Sequence, residues 1–355
     1  MIISFSDRIF QTQNHSIQSK LADILIELIK KDNQNHFIET KSVASIFFND
    51  ENRYIFNENE IAKEYLSNAR KRELEEYINN ILTKPITKLY RDYLTHFTIG
   101  INSTEVHPND AYRIIMERSL IVIENNPNDW KFITGMIDKY QSYGIRKNIY
   151  KLIKKSLDSP HYLTYDHAGG SGIKSQIESW VNGVYQNIYK FKLMVLFDSD
   201  KKNENDFKQE YKNLFEYLKA REISIPPSVN DLIYEENDLI VWHMLFKRCI
   251  ENYIPIDIII ENITDLTDIH KSNLKRLSPS EIDFIQYYKP EGKPKDYYIS
   301  IGKNKAKEQF PNMFLAPFSY DSLEQRCEHH KVGIQAPAEK ISEIEEILLK
   351  IAKII

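Results

Sequence analysis

The sequence predicts an α/β fold, a parallel sheet flanked by helices, with helical additions at its N-terminal and C-terminal ends. Two observations predict it. Two fully apolar runs end at Ile123 and at Phe197, and polar residues follow each of them directly. Buried parallel strands have this pattern. Segments with apolar residues at helical spacing separate these runs. Strands that alternate with helices form a parallel sheet with right-handed crossovers, so we expect one such sheet in the middle of the chain.

Changes in this pattern along the chain predict three regions. Residues 1–110 are expected to form a mainly helical accessory domain, because apolar residues recur at helical spacing in Ile17–Lys31 and Asn57–Leu82. An Asn- and Asp-rich stretch ends this region. Residues 111–265 are expected to form the α/β domain, and residues 266–355 a mainly helical C-terminal region.

The α/β domain has the following predicted elements, in order: a strand at Leu120–Ile123, helices at Pro127–Tyr140 and Asn148–Leu157, a weak strand at Tyr162–Tyr165, a helix at Gly172–Val184, a strand at Lys192–Phe197, a helix at Asn205–Ala220 and a strand at Asp238–Leu245. After this domain, Ala338–Ile355 carries an apolar stripe at helical spacing. Core packing is the usual cause of such a stripe, and a homo-oligomer interface is the alternative.

Composition excludes several classes of protein. The chain has only 10 glycines in 355 residues and contains neither a P-loop nor a dinucleotide-binding fingerprint. Its two cysteines, Cys249 and Cys327, lie far apart, which argues against a disulfide framework or a cysteine-type zinc site and favours a cytoplasmic location. No apolar run approaches the ~20 residues of a membrane span. A net charge of −4 means that any nucleic acid must bind through a local patch or a partner.

Carboxylates follow two of the predicted strands directly. Glu124 ends the first strand, and Asp198 and Asp200 follow Phe197. Ligands of open α/β sheets bind outside the carboxyl ends of the strands, so we expect these three side chains to meet there. Clustered carboxylates repel one another unless a cation lies between them, and oxygen ligands favour Mg²⁺ or Mn²⁺. The alternative for the Asp-Ser-Asp segment is an ordinary turn with local hydrogen bonds.

A glycine-rich loop lies between these two strands. Gly169, Gly170 and Gly172 precede a predicted helix, so their backbone N–H groups are candidates for holding a phosphate. Lys174 after this loop, and Lys201 after the second strand, are candidates for neutralising the charge of a reacting phosphate. The alternatives are a tight loop for the glycines and surface or ion-pair roles for the lysines.

The order strand-Glu, glycine loop, strand-Asp-x-Asp resembles the Toprim domain of topoisomerases, primases and nucleases. The piece Arg248-Cys249-Ile250-Glu251-Asn252-Tyr253 resembles a signature of Toprim-like proteins in bacterial defence loci, including the DUF4435 family and overcoming-lysogenization-defect nucleases. The resemblance covers about residues 120–255. It departs from the family pattern at Asn125, where glycine is usual, and at Asp129, which lies one position later than the usual acidic residue.

The resemblance implies a metal-dependent nuclease of anti-phage defence that acts on DNA or RNA and works with an ABC-type ATPase partner. The implied metal ligands are Glu124, Asp198, Asp200 and Glu251, with Mg²⁺ or Mn²⁺ as the metal. The implied catalytic residues are Glu124, Asp198 and Asp200, to which Lys201 is added on physical grounds, and Arg248 is expected to pair with Glu251 or with the substrate. The alternative is a catalytically silent Toprim-like binding or regulatory subunit.

Overall fold

The computed structural model describes residues 1–30, 35–158, 162–169, 172–203, 206, 209–219, 240–316, 318–327, 329–332 and 339–355. Its strands are β1 (Ile2–Phe5), β2 (Phe37–Ile38), β3 (His96–Ile99), β4 (Ser119–Ile123), β5 (Leu163–His167), β6 (Leu193–Phe197), β7 (Val241–Met244), β8 (His329–Val332) and β9 (Glu339–Ser342). No helix within the described ranges is long and apolar enough to cross a membrane.

The helices that precede β6 are α1 (His15–Ile29), α2 (Thr40–Val43), α3 (Glu60–Tyr65), α4 (Asn68–Leu82), α5 (Lys88–Tyr93), α6 (Pro108–Met116), α7 (Asn128–Tyr140), α8 (Lys147–Asp158), α9 (Ile173–Asn182) and α10 (Tyr189–Lys192). Those that follow it are α11 (Gln209–Lys219), α12 (Ile256–Asn262), α13 (Asp268–Lys275), α14 (Pro279–Phe284), α15 (Lys303–Met313), α16 (Tyr320–Glu324) and α17 (Glu343–Ile354). Ile250–Tyr253 forms a short 3-10 helix.

The central sheet has the strand order β5-β4-β6-β7, and every neighbouring pair is parallel. Strands β4 and β6 are buried along their whole length, which explains why their sequences are continuously apolar. In the register, Ile123 lies opposite both His167 and Leu196, and Phe197 lies opposite Met244. The carboxyl ends of all four strands therefore share one edge, and the expected α/β fold with a parallel sheet is confirmed.

The N-terminal region contains a second sheet that the sequence pattern did not predict. Strands β2, β1 and β3 pair in that order, all in parallel. The predicted long helix at Asn57–Leu82 is divided into α3 and α4, because the Ser67 hydroxyl accepts the Arg70 N–H and starts a new helix there. Helix α6 packs against α1, so the proposed boundary near residue 110 falls inside a packed pair of helices.

The C-terminal helix α17 belongs to the core of the central sheet. It packs against β6, β7 and α8, and its apolar stripe is buried. The stripe is thus accounted for by packing within one chain. Residues Glu339–Ser342, where the pattern predicted the start of this helix, instead form β9, which pairs with β8 in an antiparallel hairpin. The region 266–355 thus contains this hairpin as well as helices, and its last helix packs on the central sheet.

Candidate active site

A cleft of about 250 Å³ lies at the carboxyl edge of the central sheet. Five acidic side chains from the segments that follow β4, β6 and β7 line it: Glu124, Asp129, Asp198, Asp200 and Glu251. Two lysines of α15, Lys303 and Lys307, also line it, together with Arg248. The sheet therefore brings together the carboxylates that lie far apart in the sequence, as their positions after the strands predicted.

The turn that carries Asp198 and Asp200 is tied to the loop after β7. Between the two aspartates, Ser199 is fully buried and its hydroxyl donates to the Lys247 carbonyl at 2.7 Å. Asp200 has a left-handed backbone with φ of 52°, and its N–H donates to the Arg248 carbonyl at 2.9 Å. Such a conformation is unfavourable for a residue other than glycine, although Asp tolerates it better than most. The two hydrogen bonds hold the turn in place.

The loop after β4 is shaped by Asp129. One of its carboxylate oxygens, Oδ2, accepts the N–H groups of Glu124 at 3.1 Å and Asn125 at 2.8 Å. This contact sets the direction in which Glu124 leaves the strand. The Tyr211 hydroxyl of α11 donates to Glu124 Oε1 at 2.8 Å. The other oxygen, Oε2, is buried and has no hydrogen-bond partner within the described part of the chain.

The Ile-Glu-Asn-Tyr segment after β7 combines structural anchors with one carboxylate that lines the cleft. Ile250 is buried, and the Asn252 side-chain amide donates to the carbonyls of Ile282 at 2.6 Å and Ile285 at 3.0 Å. The Tyr253 hydroxyl donates to Glu343 of α17 at 2.5 Å. These contacts hold the short 3-10 helix in place through Ile250, Asn252 and Tyr253. Its remaining residue, Glu251, lines the cleft.

Burial and mutual repulsion raise the pKa values of three acidic groups of the cleft, Glu124, Asp129 and Asp198. Burial raises the pKa of Asp198 well above its usual value, and the charges of the neighbouring carboxylates raise it further. Burial also raises the pKa of Glu124, against the lowering effect of the Tyr211 hydrogen bond. The pKa of Asp129 rises to about 7, again mainly through burial. The cleft therefore favours either protons or a cation.

We expect the metal-free protein to lose stability as the pH rises from about 4 to about 7. In this range unfolded Asp129 loses its proton near its usual pKa of 3.8, whereas the folded group keeps it until about 7. Folding is thus favoured below this range, and the advantage, on the order of 4 kcal/mol, is gone above it. Melting temperatures measured in EDTA across this range test the expectation.

The Asp129→Asn variant is the control for this titration. It keeps a side-chain oxygen for the N–H groups of Glu124 and Asn125 but carries no proton that titrates in this range. We expect it to flatten the decline in melting temperature. An equal decline in the variant and in the wild type would assign the pH dependence to other groups.

The donor set of the cleft fits a hard divalent cation by its chemistry. All five acidic groups offer oxygen, which Mg²⁺ and Mn²⁺ prefer, and buried Glu124 Oε2 has no hydrogen-bond partner among the described residues. Within the described ranges, however, no three His, Cys, Asp or Glu side chains already stand close enough to hold a metal ion. Binding would require the carboxylates to draw together, and their repulsion opposes this until a cation is present.

The other described residues that were selected from the sequence are not part of the cleft lining. Lys201 follows Asp200 but is not among the lining residues, and exposed Lys174 lies 3.9 Å from Glu178 on its own helix. The glycine loop follows β5, one strand beyond β4. The Ala168 N–H donates to the Ile123 carbonyl, Gly169 is exposed, and Gly172 is the N-cap of α9. Gly170 lies outside the described residues.

Sequence reasoning missed the basic side of the cleft. Lys303 and Lys307 lie one turn apart on α15, so both reach the same face. The lysine-rich stretch 303–307 was visible in the sequence, and its spacing of four residues was the available signal. Tyr211, which contacts Glu124, had no such signal.

Replacing Tyr211 with phenylalanine should weaken metal binding about tenfold. The variant loses the hydroxyl that holds Glu124, and loss of a group that orients a metal ligand typically lowers affinity by about 10–100-fold. Isothermal titration with Mn²⁺ measures the effect. The control is Tyr143→Phe, at an exposed tyrosine outside the cleft. Equal affinities for the two variants would show that the Tyr211 contact does not position Glu124.

Comparisons of the chain with protein-family models, with curated proteins and with solved structures found no match.

Proposed function

We propose that this chain is a divalent-metal-dependent nuclease with a Toprim-like core, which cleaves nucleic acid phosphodiesters. The observation that carries the proposal is the convergence of carboxylates from three adjacent parallel strands in one cleft beside two lysines. Acidic groups gathered at such an edge are costly unless they serve a cation. A basic wall beside them suits a substrate that carries phosphate.

Glu124, Asp198, Asp200 and Glu251 would hold Mg²⁺ or Mn²⁺. When bound, the metal would neutralise phosphate oxygens and lower the pKa of a water molecule. The residues of the chain have separate tasks. Tyr211 orients Glu124, which serves as a ligand or as the general base. The hydrogen bonds of Ser199 and Asp200 to the loop after β7 keep the second carboxylate pair in place.

Arg248 and the lysines of α15 would bind the charged substrate. The Arg248 Nε lies 3.9 Å from Asp200 Oδ1, so the guanidinium group lies beside the acidic side chains of the cleft. Lys303 and Lys307 of α15 contribute positive charge to the cleft. This charge would stabilise the negative charge that develops on the reacting phosphate. In this scheme they take the role that the sequence suggested for Lys174 and Lys201.

The resemblance to Toprim-like defence proteins supports two further parts of the proposal. We propose that the chain is a cytoplasmic effector of anti-phage defence, and that an ABC-type ATPase is its partner subunit. An unregulated nuclease would harm its host, so a partner that controls access to the cleft is consistent with this activity.

A second candidate function is a catalytically silent binding or regulatory subunit with the same fold. One observation favours it: the carboxylates are not already arranged as a metal-binding group within the described residues. Metal binding separates the two candidates, because a silent subunit would lack a metal-dependent change in stability or activity.

The test is cleavage of labelled plasmid, single-stranded DNA and tRNA with Mg²⁺ or Mn²⁺, comparing the wild type with Asp198→Ala. Cutting that needs the metal and is lost in the variant supports the nuclease. Metal binding by calorimetry on the same samples distinguishes a nuclease that awaits its partner from a silent subunit. No binding and no cutting would overturn the proposal.

A further inference from the structure

A second and larger cavity, of about 950 Å³, adjoins the carboxylate cleft. It is built by α14, by the segment that follows it and by the residues just after Lys201. The two cavities share Arg248, Ile285 and Gln286 in their linings. They therefore adjoin each other at these residues, and we call the larger cavity the side groove.

The charge of the side groove is opposite to that of the cleft. Its lining contains four cations, Lys202, Arg248, Lys289 and Lys293, against two acids, Glu281 and Glu291. Glu291 lies 3.5 Å from Lys202, so these two charges offset each other, and the lining as a whole keeps a net charge of +2. Glu281 accepts hydrogen bonds from the Ser278 N–H and hydroxyl, which leave its negative charge in place. The groove thus suits an anionic chain, whereas the cleft without metal repels one.

The side groove also has an apolar part in its lining. Leu277, Phe284 and Ile285 are half-buried there, and buried Pro290 and Tyr298 lie beside the cavity. Single strands of nucleic acid use both kinds of surface, because cations follow the phosphates and the unpaired bases stack on aromatic and apolar side chains. A duplex keeps its bases stacked inside and presents phosphates and sugars, so it would leave this surface unused.

We infer that the side groove binds single-stranded nucleic acid and leads the strand past Arg248 to the carboxylate cleft. The inference deepens the proposed nuclease function and rests on it for the direction of the strand. The binding itself is separable, because it needs the groove and neither the metal nor the carboxylates.

The experiment measures binding of a fluorescein-labelled oligonucleotide, as DNA and as RNA, by anisotropy in EDTA so that no cleavage occurs. The variant is Lys289→Gln/Lys293→Gln on the groove. The matched control is Lys151→Gln/Lys155→Gln, which removes the same charge from exposed positions on α8 that line neither cavity.

We expect the wild type to bind the single strand more tightly than the same sequence as a duplex. The groove variant should bind the single strand about tenfold more weakly. The slope of log affinity against log salt, which is negative, should become smaller in magnitude by about 1.4, because each of the two lost phosphate contacts to a single strand contributes about 0.7. The control variant should bind as the wild type does. Equal losses in both variants, equal binding of duplex, or no binding by the wild type would each overturn the inference.

Two further outcomes separate the groove from the nuclease activity. If the oligonucleotide binds through Lys289 and Lys293 but the protein neither binds the metal nor cleaves with it, the inference stands and the proposed function fails. If metal-dependent cleavage is found and the groove variant binds and cleaves the strand as the wild type does, the function stands and the inference fails.

Discussion

Replacing Asp198 with asparagine is expected to lower metal-dependent cleavage by about 1000-fold and, in EDTA, to raise the melting temperature. The loss in rate follows because asparagine removes a charged oxygen from the cation site, and removal of a single group that stabilises the transition state already costs about 100–1000-fold. The gain in stability follows because Asp198 is buried among other carboxylates that raise its pKa. Each pKa unit of that shift corresponds to about 1.4 kcal/mol in the free energy of unfolding, which is about 2 °C in the melting temperature of a chain of this size.

The opposite signs of these two effects make the prediction specific. A residue that served only the fold would lose activity and stability together. The matched control is Asp138→Asn, at an exposed position of α7, where we expect neither effect. Single-turnover cleavage with Mn²⁺ and thermal melts with and without the metal supply both measurements. A variant that cleaves normally, or that melts lower in EDTA, would contradict the assignment of Asp198.

The acidic half of the site was predictable because strand ends are readable in the sequence. The apolar runs before Glu124 and Asp198 are buried on both faces, which leaves no alternation that disguises their ends. Once the strands are parallel, their carboxyl ends must share an edge, and the side chains that follow must meet there. Glu251 was predicted instead from the resemblance of Arg248–Tyr253 to a signature of Toprim-like proteins.

The basic half of the site was not predictable because nothing local connects it to the sheet. Lys303 and Lys307 lie on a helix about 100 residues after Asp200, and their approach to the cleft depends on how α15 packs against α7 and α12. The same is true of Tyr211, whose hydroxyl donates to Glu124 although the two residues are far apart in the sequence. A helical stripe indicates which face is buried, but it does not indicate against which partner.

The N-terminal sheet escaped prediction for a different reason. Its strands have two to four residues, as in Ile2–Phe5 and Phe37–Ile38, and such short apolar runs do not distinguish a strand from a buried turn of helix. The helices between them were visible because they are longer. The sheet depends on pairing between distant segments, which periodicity does not report.

Glu343 connects the C-terminal helix to the loop that carries Arg248 and Glu251. It is fully buried at the start of α17, and its carboxylate accepts the Phe246 N–H at 2.7 Å and the Tyr253 hydroxyl at 2.5 Å. It also lies 2.9 Å from His243 Nε2. Because Lys350 has only donors and lies 3.2 Å from His243 Nδ1, that nitrogen accepts and Nε2 carries the proton given to Glu343.

We expect Glu343→Ala to lower the free energy of unfolding by about 3–5 kcal/mol. The substitution leaves the side-chain donors of buried His243 and Tyr253, and the N–H of Phe246, without the carboxylate that they share as acceptor. Glu343→Gln keeps one acceptor oxygen and should lose less. Urea unfolding measures both, with Glu76→Ala at an exposed position of α4 as the control, expected within about 0.5 kcal/mol of the wild type. If Glu343→Ala and Glu76→Ala unfold at the same urea concentration, the buried network does not hold the loop, and the position of Glu251 must depend on Asn252 and α14 instead.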